Sequence, residues 1–161
     1  MRKLVTVLAV SAALLAGGEE ASAQLQLGAQ VNIATDTDLG IGARLLFGLE
    51  QLVAGMQGAA SFDYFFPDGY DFWELNGNVV VPLPIPGNFE PYVGGGLNLA
   101  FISSEVDIPD VDDSDTEIGL NLVGGLRFAT TNFRPFVEVR GVIAGAEQLV
   151  FTGGIMLGGS R

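Results

Sequence analysis

The chain has 161 residues, a formal net charge of −12, and neither cysteine nor histidine. These two absences exclude disulfides, thiolate metal sites and thiol nucleophiles, and they remove the commonest general base and metal ligand. Because acidic residues outnumber basic ones by 19 to 7, nucleic acid is also excluded as a partner.

The start of the chain has the pattern of a secretory signal peptide. Two basic residues precede an apolar run over residues 4–16, and an A-x-A cleavage site ends at Ala23. A membrane-spanning helix would need about 20 apolar residues, so the run is too short for one. We therefore predict that residues 1–23 are a cleaved signal peptide and that residues 24–161 form one domain.

From residue 24 onward, apolar and polar residues alternate with a period of two, and short polar or Gly/Pro-rich segments interrupt the pattern. No stretch has the periodicity of an amphipathic helix. Alternation with regular turn segments predicts a series of antiparallel hairpins. We predict eight strands, at residues 24–34, 39–49, 53–66, 72–81, 90–102, 116–128, 135–143 and 148–157.

The two faces of the predicted strands differ in composition. One face is apolar in every strand, from Leu25 and Leu27 at the start to Ile155 and Leu157 at the end. The opposite face is rich in glycine, asparagine and glutamine, and it carries the charged residues that fall inside the strands. The polar members of this face are Gln26, Gln30, Asn32, Arg44, Gln57, Ser61, Asp63, Glu74, Asn76, Asn78, Asn98, Glu117, Asn121, Arg127, Glu138, Arg140, Gln148 and Thr152.

Alternation alone does not determine which face points outward. In a soluble barrel the apolar face would line the interior, and the exterior would be dense in Lys and Glu. After residue 23, however, the chain has no lysine, and its five basic residues are all arginine. The polar face therefore suits a hydrogen-bonded lumen, and the apolar face suits contact with lipid.

The aromatic residues give a second indication, because membrane barrels concentrate aromatics at the two interfaces. One predicted girdle comprises Phe62, Tyr64, Phe65, Phe66, Tyr70, Phe72, Trp73 and Phe101, and the other comprises Phe47, Phe89, Tyr92, Phe128, Phe133 and Phe136. We therefore predict an all-β fold, a single closed antiparallel up-and-down transmembrane β-barrel of eight strands. An even strand number places both termini on the periplasmic side and the acidic loops outside. A soluble periplasmic ligand-binding β-barrel is the alternative fold and function.

Two short segments, at residues 88–93 and 132–137, share the pattern N-F-x-P-aromatic-V, and each opens a predicted strand after a periplasmic turn. They resemble the strand openings of the OmpA/OmpX-like, porin-family small barrels. The resemblance covers residues 24–161 and implies a barrel of the bacterial outer membrane. The chain departs from the family at residues 157–161, where members often carry a terminal aromatic residue, so the usual assembly signal is not expected here.

The charged residues of the polar face would meet inside the barrel. An eight-stranded barrel is just wide enough for its own side chains to fill it, and unpaired buried charge is costly. We therefore predict a structural network of ion pairs and hydrogen bonds that closes the lumen, and the alternative is a narrow porin-like diffusion channel. The predicted network comprises Arg44, Asp63, Glu74, Glu117, Arg127, Glu138 and Arg140.

Two of these carboxylates raise the question of catalysis. Counting across the turn at residues 67–71 places Asp63 opposite Glu74, with Glu117 also near the outer mouth. Facing carboxylates can form an acid–base pair or bind a divalent cation. The pattern supplies no nucleophile with an activating base, so we predict no catalytic residue and no cofactor.

Residues 105–115 form the densest run of charge in the chain. The spacing of their carboxylates is similar to that of calcium loops, but the turn glycine and the register of an EF-hand are missing. We predict a solvated surface loop. Weak association with Ca²⁺ or Mg²⁺ is the alternative, with Asp110, Asp112, Asp113 and Asp115 as the ligands.

Together these features predict a non-enzymatic barrel of the bacterial outer membrane with a structural or surface-interaction role. Its expected partners are membrane lipid and, at the acidic outer loops, surface molecules or divalent cations. We expect a monomer.

Overall fold

The computed structural model describes residues 25–49, 55–104, 114–130 and 133–158. The predicted signal peptide therefore lies outside the described residues. No helix within the described ranges is long and apolar enough to cross a membrane. The strands are β1 (Gln26–Ala34), β2 (Asp38–Gly48), β3 (Gln57–Phe65), β4 (Tyr70–Pro82), β5 (Phe89–Ser104), β6 (Ser114–Phe128), β7 (Arg134–Ile143) and β8 (Gln148–Gly158).

These strands form a closed antiparallel barrel, which confirms the predicted fold class. Each strand pairs with the next along the chain, and β8 pairs with β1. This last pairing runs from Gln26 opposite Gly158 to Ala34 opposite Val150. Because the barrel is closed, every strand has a neighbour on both sides along most of its length. At the loop end β6 extends beyond β7, and its residues 114–119 pair only with β5.

The β5–β6 hairpin is longer than the alternation predicted. Pairing continues through Ile102 opposite Asp115 to Ser103 opposite Ser114. The sequence pattern ends earlier because serine and acidic residues replace the apolar positions there. Backbone hydrogen bonds do not depend on those side chains, so the hairpin continues into the segment predicted as a loop.

The two ends of the barrel differ in charge. The end that holds the termini, called the terminal end below, also has the β2–β3, β4–β5 and β6–β7 connections. The other end, called the loop end, has the remaining four connections. The loop end carries the exposed carboxylates Asp36, Asp38, Asp68, Asp71, Asp115 and Glu147.

The predicted orientation of the two faces agrees with the structure. The apolar face points away from the barrel axis, and Ile118 and Leu122 are 67% and 59% exposed. The polar face points inward, and Asp63 and Asn98 are fully buried. A soluble barrel would show the reverse arrangement, so this exterior is suited to lipid.

The interior has two apolar layers with polar residues between them. The loop-end layer consists of Ala34, Phe65, Phe72, Ala100 and Val150. The terminal-end layer consists of Leu46, Ala59, Val80, Tyr92, Val123, Phe136 and Met156.

These layers correct the predicted aromatic girdles. Phe65, Phe72, Tyr92 and Phe136 were assigned to the outer surface, but each is at most 2% exposed and points inward. Strand alternation decides the matter, since Phe65 lies two residues after the inward-facing Asp63 and pairs with Phe72.

Other aromatic residues of the predicted girdles do point outward. Trp73 stacks on Phe101 with ring centroids 3.8 Å apart, and it also contacts Phe62 at 5.8 Å. The three residues lie on β3, β4 and β5, so the aromatic surface near the loop end is concentrated on one side of the barrel.

Candidate functional site

The centre of the lumen holds two carboxylates and one guanidinium. Asp63 on β3 lies opposite Glu74 on β4, as the count across the turn predicted. From β7 across the barrel, Arg140 places one terminal nitrogen 2.7 Å from Glu74 and the other 3.6 Å from Asp63. Neither carboxylate is exposed, so a single guanidinium faces two carboxylates in a site without bulk water.

Neutral donors satisfy the remaining oxygen lone pairs of Asp63. The amides of Gln30 and Asn32 donate to Oδ1 at 2.5 and 2.7 Å. The hydroxyl of Ser61 and the amide of Asn76 donate to Oδ2 at 2.9 and 3.1 Å. With so many donors around it, the Asp63 carboxylate has few lone pairs free to accept a proton from a substrate.

Glu74 is fixed in a similar way. The amide of Gln148 donates to its Oε1 at 2.7 Å, and the Gln148 amide oxygen accepts a bond from the Thr37 hydroxyl at 2.9 Å. Thr37 belongs to the β1–β2 connection, so this chain of bonds links the centre of the lumen to the loop end.

A second ion pair lies nearer the terminal end. Arg44 on β2 donates two hydrogen bonds to Glu138 on β7, at 2.5 and 2.6 Å. The Tyr92 hydroxyl donates to the same carboxylate at 2.7 Å. The guanidinium also lies 4.6 Å from the centre of the Phe136 ring. The two parallel hydrogen bonds between Arg44 and Glu138 make the pair bidentate, which is the strong form of an arginine–carboxylate contact.

Arg127 forms a third, more exposed pair at the terminal mouth. Its Nη1 donates to Glu90 at 2.8 Å and to Gln57 at 2.7 Å. Its guanidinium lies 4.3 Å from the centre of the Tyr92 ring. Glu90 was not among the predicted network residues, because it falls at the very start of its predicted strand.

Asparagine side chains fill the space between the ion pairs. The Asn121 amide donates to Asn76 and Asn78, both at 2.9 Å, and the Asn98 amide donates to Asn76 at 2.9 Å. The three interacting strands, β4, β5 and β6, are therefore joined across the lumen by side chains as well as by backbone pairing.

Glu117 is separate from this network. It lies opposite Ala100, at the level of Glu74, and is half-buried. Among the described residues it has no hydrogen-bond or ion-pair partner. The alternation correctly predicted that Glu117 lies on the inward face. It could not predict which carboxylates an arginine contacts, and none of the described arginines pairs with Glu117.

The predicted metal ligands are only partly covered by the structure. Asp110, Asp112 and Asp113 lie outside the described residues. Asp115 is exposed, and its side chain accepts a bond from the Thr116 amide at 2.8 Å. Within the described ranges, no group of three acidic side chains could hold a metal ion.

The lumen leaves little room for a ligand. The cavity beside Arg44 and Glu138 has a volume of about 10 Å³, which is the space of one water molecule. The arrangement is therefore a packed interior of ion pairs and hydrogen bonds.

Comparisons with known proteins agree with this architecture. Residues 4–141 match the family described as outer membrane protein beta-barrel domain. No curated protein matches the chain in sequence.

Solved structures share the fold at low sequence identity. The chain is similar to Neisserial surface protein A, with a TM-score of 0.60 and 18% identity over 83% of this chain and 94% of that one. It is similar to Ail, the attachment invasion locus protein of Yersinia pestis, with a TM-score of 0.55 and 17% identity over 83% of this chain and 93% of that one. A de novo designed protein, TMB2.3, gives a TM-score of 0.52 and 12% identity over 89% of this chain and all of that one.

The family match covers most of the chain. A closed barrel with an apolar exterior is the structure expected of a protein in this family. The chain therefore belongs to the outer membrane protein β-barrel domain family.

Proposed function

We propose that the protein is a non-conducting, non-enzymatic barrel of the outer membrane that acts through its surface, by structural support or by contact at its loop end. The observation that carries the proposal is the filled lumen, in which two apolar layers enclose a polar centre of ion pairs and hydrogen bonds.

The two layers argue against the alternative of a diffusion channel. An ion entering from the loop end meets the rings of Phe65 and Phe72, whose centroids are 5.5 Å apart in an edge-to-face contact. An ion entering from the terminal end meets Tyr92 and Phe136, both 2% exposed. Stripping water from an ion in such an apolar layer is costly, so both ends oppose permeation.

The chemistry of the interior argues against catalysis. The chain has no histidine or cysteine. The lumen carboxylates Asp63, Glu74 and Glu138 are each held by an arginine and by neutral donors. A general base needs a free lone pair within reach of a substrate, and these three carboxylates offer neither the lone pair nor the space.

A surface role is favoured by the charge of the loop end. Each of the described arginines lies in the lumen or at the terminal end, whereas six exposed acidic residues lie at the loop end. A partner that docks there has to be cationic or has to bind through divalent cations. Two of the similar structures are named as a surface protein and an attachment protein, which is consistent with this role.

Planar lipid bilayer recording tests the first part of the proposal. The refolded barrel should insert without producing steps of stable conductance. Heat-modifiable migration on gels of the protein recovered from the same lipid shows that the barrel is folded when no conductance is recorded. Regular conductance steps from the unmodified protein would overturn the proposal in favour of the channel.

The orientation needs its own test. With the termini in the periplasm, a cysteine introduced for Asp68 at the loop end should react with a membrane-impermeant maleimide on intact cells. A cysteine introduced for Asn88 at the terminal end should react only after the outer membrane is permeabilised. The opposite pattern would place the acidic end in the periplasm.

A further inference from the structure

The rim of the terminal end contains a cavity of about 350 Å³ that lies beside the β4–β5 and β6–β7 connections. It is much larger than the cavity inside the lumen and opens beside the Arg127–Glu90 pair. Its lining combines charged side chains with apolar ones, which is the composition of a site for a molecule with both kinds of surface.

Arg134 gives this cavity its charge. The side chain is half-buried, and among the described residues it has no ion pair and no hydrogen bond. Arg127 also lines the cavity, but Glu90 neutralises it at 2.8 Å. The lining therefore carries an excess positive charge that belongs to Arg134, at the end of the barrel opposite the acidic loops.

The apolar part of the cavity is continuous with the lipid-facing surface. Phe89 and Phe128 lie opposite each other on β5 and β6, both point outward, and they are 43% and 40% exposed. Leu83 and Ile85 extend the same surface onto the β4–β5 connection, where both are exposed. An arginine at the lumen mouth and phenylalanines on the lipid side thus border one cavity.

The cavity is also held in shape before any ligand arrives. Pro82 ends β4, and Pro84 and Pro86 lie in the β4–β5 connection, where they restrict its backbone. The Leu83 amide donates to the Pro91 carbonyl at 2.8 Å, and the Ala129 amide donates to the Asn88 carbonyl at 2.9 Å. The second bond ties the two connections together, which lowers the entropy cost of binding.

We propose that this cavity binds the headgroup of an anionic phospholipid, with its phosphate on Arg134 and its acyl chains along Phe89 and Phe128. The lipid belongs to the membrane leaflet at the terminal end, which is the periplasmic leaflet if the orientation proposed above holds. The binding test itself does not depend on that orientation.

Native mass spectrometry of the refolded barrel in a neutral detergent tests the site. Dioctanoyl-phosphatidylglycerol is titrated against dioctanoyl-phosphatidylcholine, which has the same chains without net charge. We expect one phosphatidylglycerol to bind in preference to phosphatidylcholine. The Arg134→Gln variant should bind it at least about tenfold more weakly, and Arg134→Lys should retain most of the affinity, since a cation still faces the phosphate.

Two further variants serve as controls. Asp68→Asn removes one charge at the opposite, loop end and should bind as the unmodified protein does. Ile85→Glu places a carboxylate on the exposed connection and should weaken binding even if Arg134→Gln does not fold. Heat-modifiable migration on gels shows which variants are folded.

Several outcomes would overturn the proposal. Equal affinity of folded Arg134→Gln and the unmodified protein would exclude Arg134 as the phosphate contact. Equal binding of the two lipids would exclude a role for headgroup charge. Competition by sn-glycerol 3-phosphate as effective as that by phosphatidylglycerol would show that the site takes a free phosphate and not a lipid.

Discussion

The carboxylates of Asp63 and Glu74 lie opposite each other on neighbouring strands, fully buried, and the guanidinium of Arg140 contacts both. Two like charges at this separation are compatible with a folded interior only because a cation lies across from them. The stability of the lumen therefore depends on Arg140, which lies 66 positions after Glu74 in the chain.

Replacing Arg140 is expected to destabilise the barrel strongly. Arg140→Gln leaves two buried carboxylates facing each other, and we expect a loss of about 3–5 kcal/mol in the free energy of unfolding. Urea titration of the barrel in lipid vesicles, followed by tryptophan fluorescence, measures the loss. A triple variant that adds Asp63→Asn and Glu74→Gln should regain much of the stability. If the triple variant is as unstable as the single one, packing and not charge explains the effect.

The two ion pairs nearer the terminal end should differ in strength. Glu138 is buried and accepts hydrogen bonds from both terminal nitrogens of Arg44, Nη1 and Nη2, whereas the Glu90 side chain is 44% exposed. Double-mutant cycles in Gln variants should give the Arg127–Glu90 pair a coupling of about 0.2–1 kcal/mol, typical of exposed pairs. The Arg44–Glu138 coupling should be clearly larger. Equal couplings would contradict the difference in burial.

Adjacent glycines on β6 offer a matched test of lumen packing. A Cβ at Gly125 would lie 2.4 Å from the Tyr92 ring and 2.7 Å from the Val137 carbonyl, whereas a Cβ at Gly124 would meet nothing within 4 Å. Gly125→Ala should cost about 1–3 kcal/mol, because the ring and backbone must move. Gly124→Ala should be close to neutral in the same urea titration. Similar losses for both would contradict the inward position of Tyr92.

The position of the membrane along the barrel can be tested with arginine substitutions at two outward-facing positions of β6. Leu122 lies near the middle of β6 and points outward, and Ile118 also points outward, two periods of the alternation closer to the loop end. An arginine at Leu122 should cost about 2–4 kcal/mol, and an arginine at Ile118 should cost less, about 0–1 kcal/mol if it reaches the interface. Unfolding in vesicles measures both. A greater cost at Ile118 would mean that the membrane is centred elsewhere on the barrel.

The acidic segment between β5 and β6 gives a prediction about calcium. We expect it to behave as a solvated loop, so isothermal titration with Ca²⁺ should give equal heats for the unmodified barrel and for a variant with Asp110, Asp112, Asp113 and Asp115 changed to Asn. A saturable heat that disappears in the variant would favour the metal-binding alternative.

The sequence predicted the faces of the strands more reliably than the contacts inside the barrel. Alternation of period two determines that Asp63 and Glu74 point inward, and the short turn between their strands sets them opposite each other. Which arginine meets which carboxylate depends on how the barrel closes. Arg44 and Glu138 are 94 residues apart and lie on strands that do not pair, so no local pattern could have joined them.

The inward aromatic residues were missed although a signal for them exists. Tyr92 lies opposite Gly125, and Phe136 lies opposite Gly154. In both cases the ring covers the space that a glycine leaves on the neighbouring strand. Composition favoured an interfacial girdle, but the pairing with glycine points to the lumen. The register of the strands has to be known before that signal can be used.

The pairing of β1 with β8 has a consequence for how the barrel assembles. Every other strand pair joins neighbours in the chain and can form as a local hairpin, but this one brings together residues more than 110 positions apart. The hydroxyl of Thr152 donates to Asn32 at 2.7 Å across the same junction. Loop closure over such a separation is slow, so we expect the last step of folding to be the meeting of the two chain ends. Before β1 and β8 pair, the lumen is open, and the amides of Gln30 and Asn32 on β1 are not held in place against the Asp63 carboxylate. The charged residues at the centre of the lumen are then exposed to water.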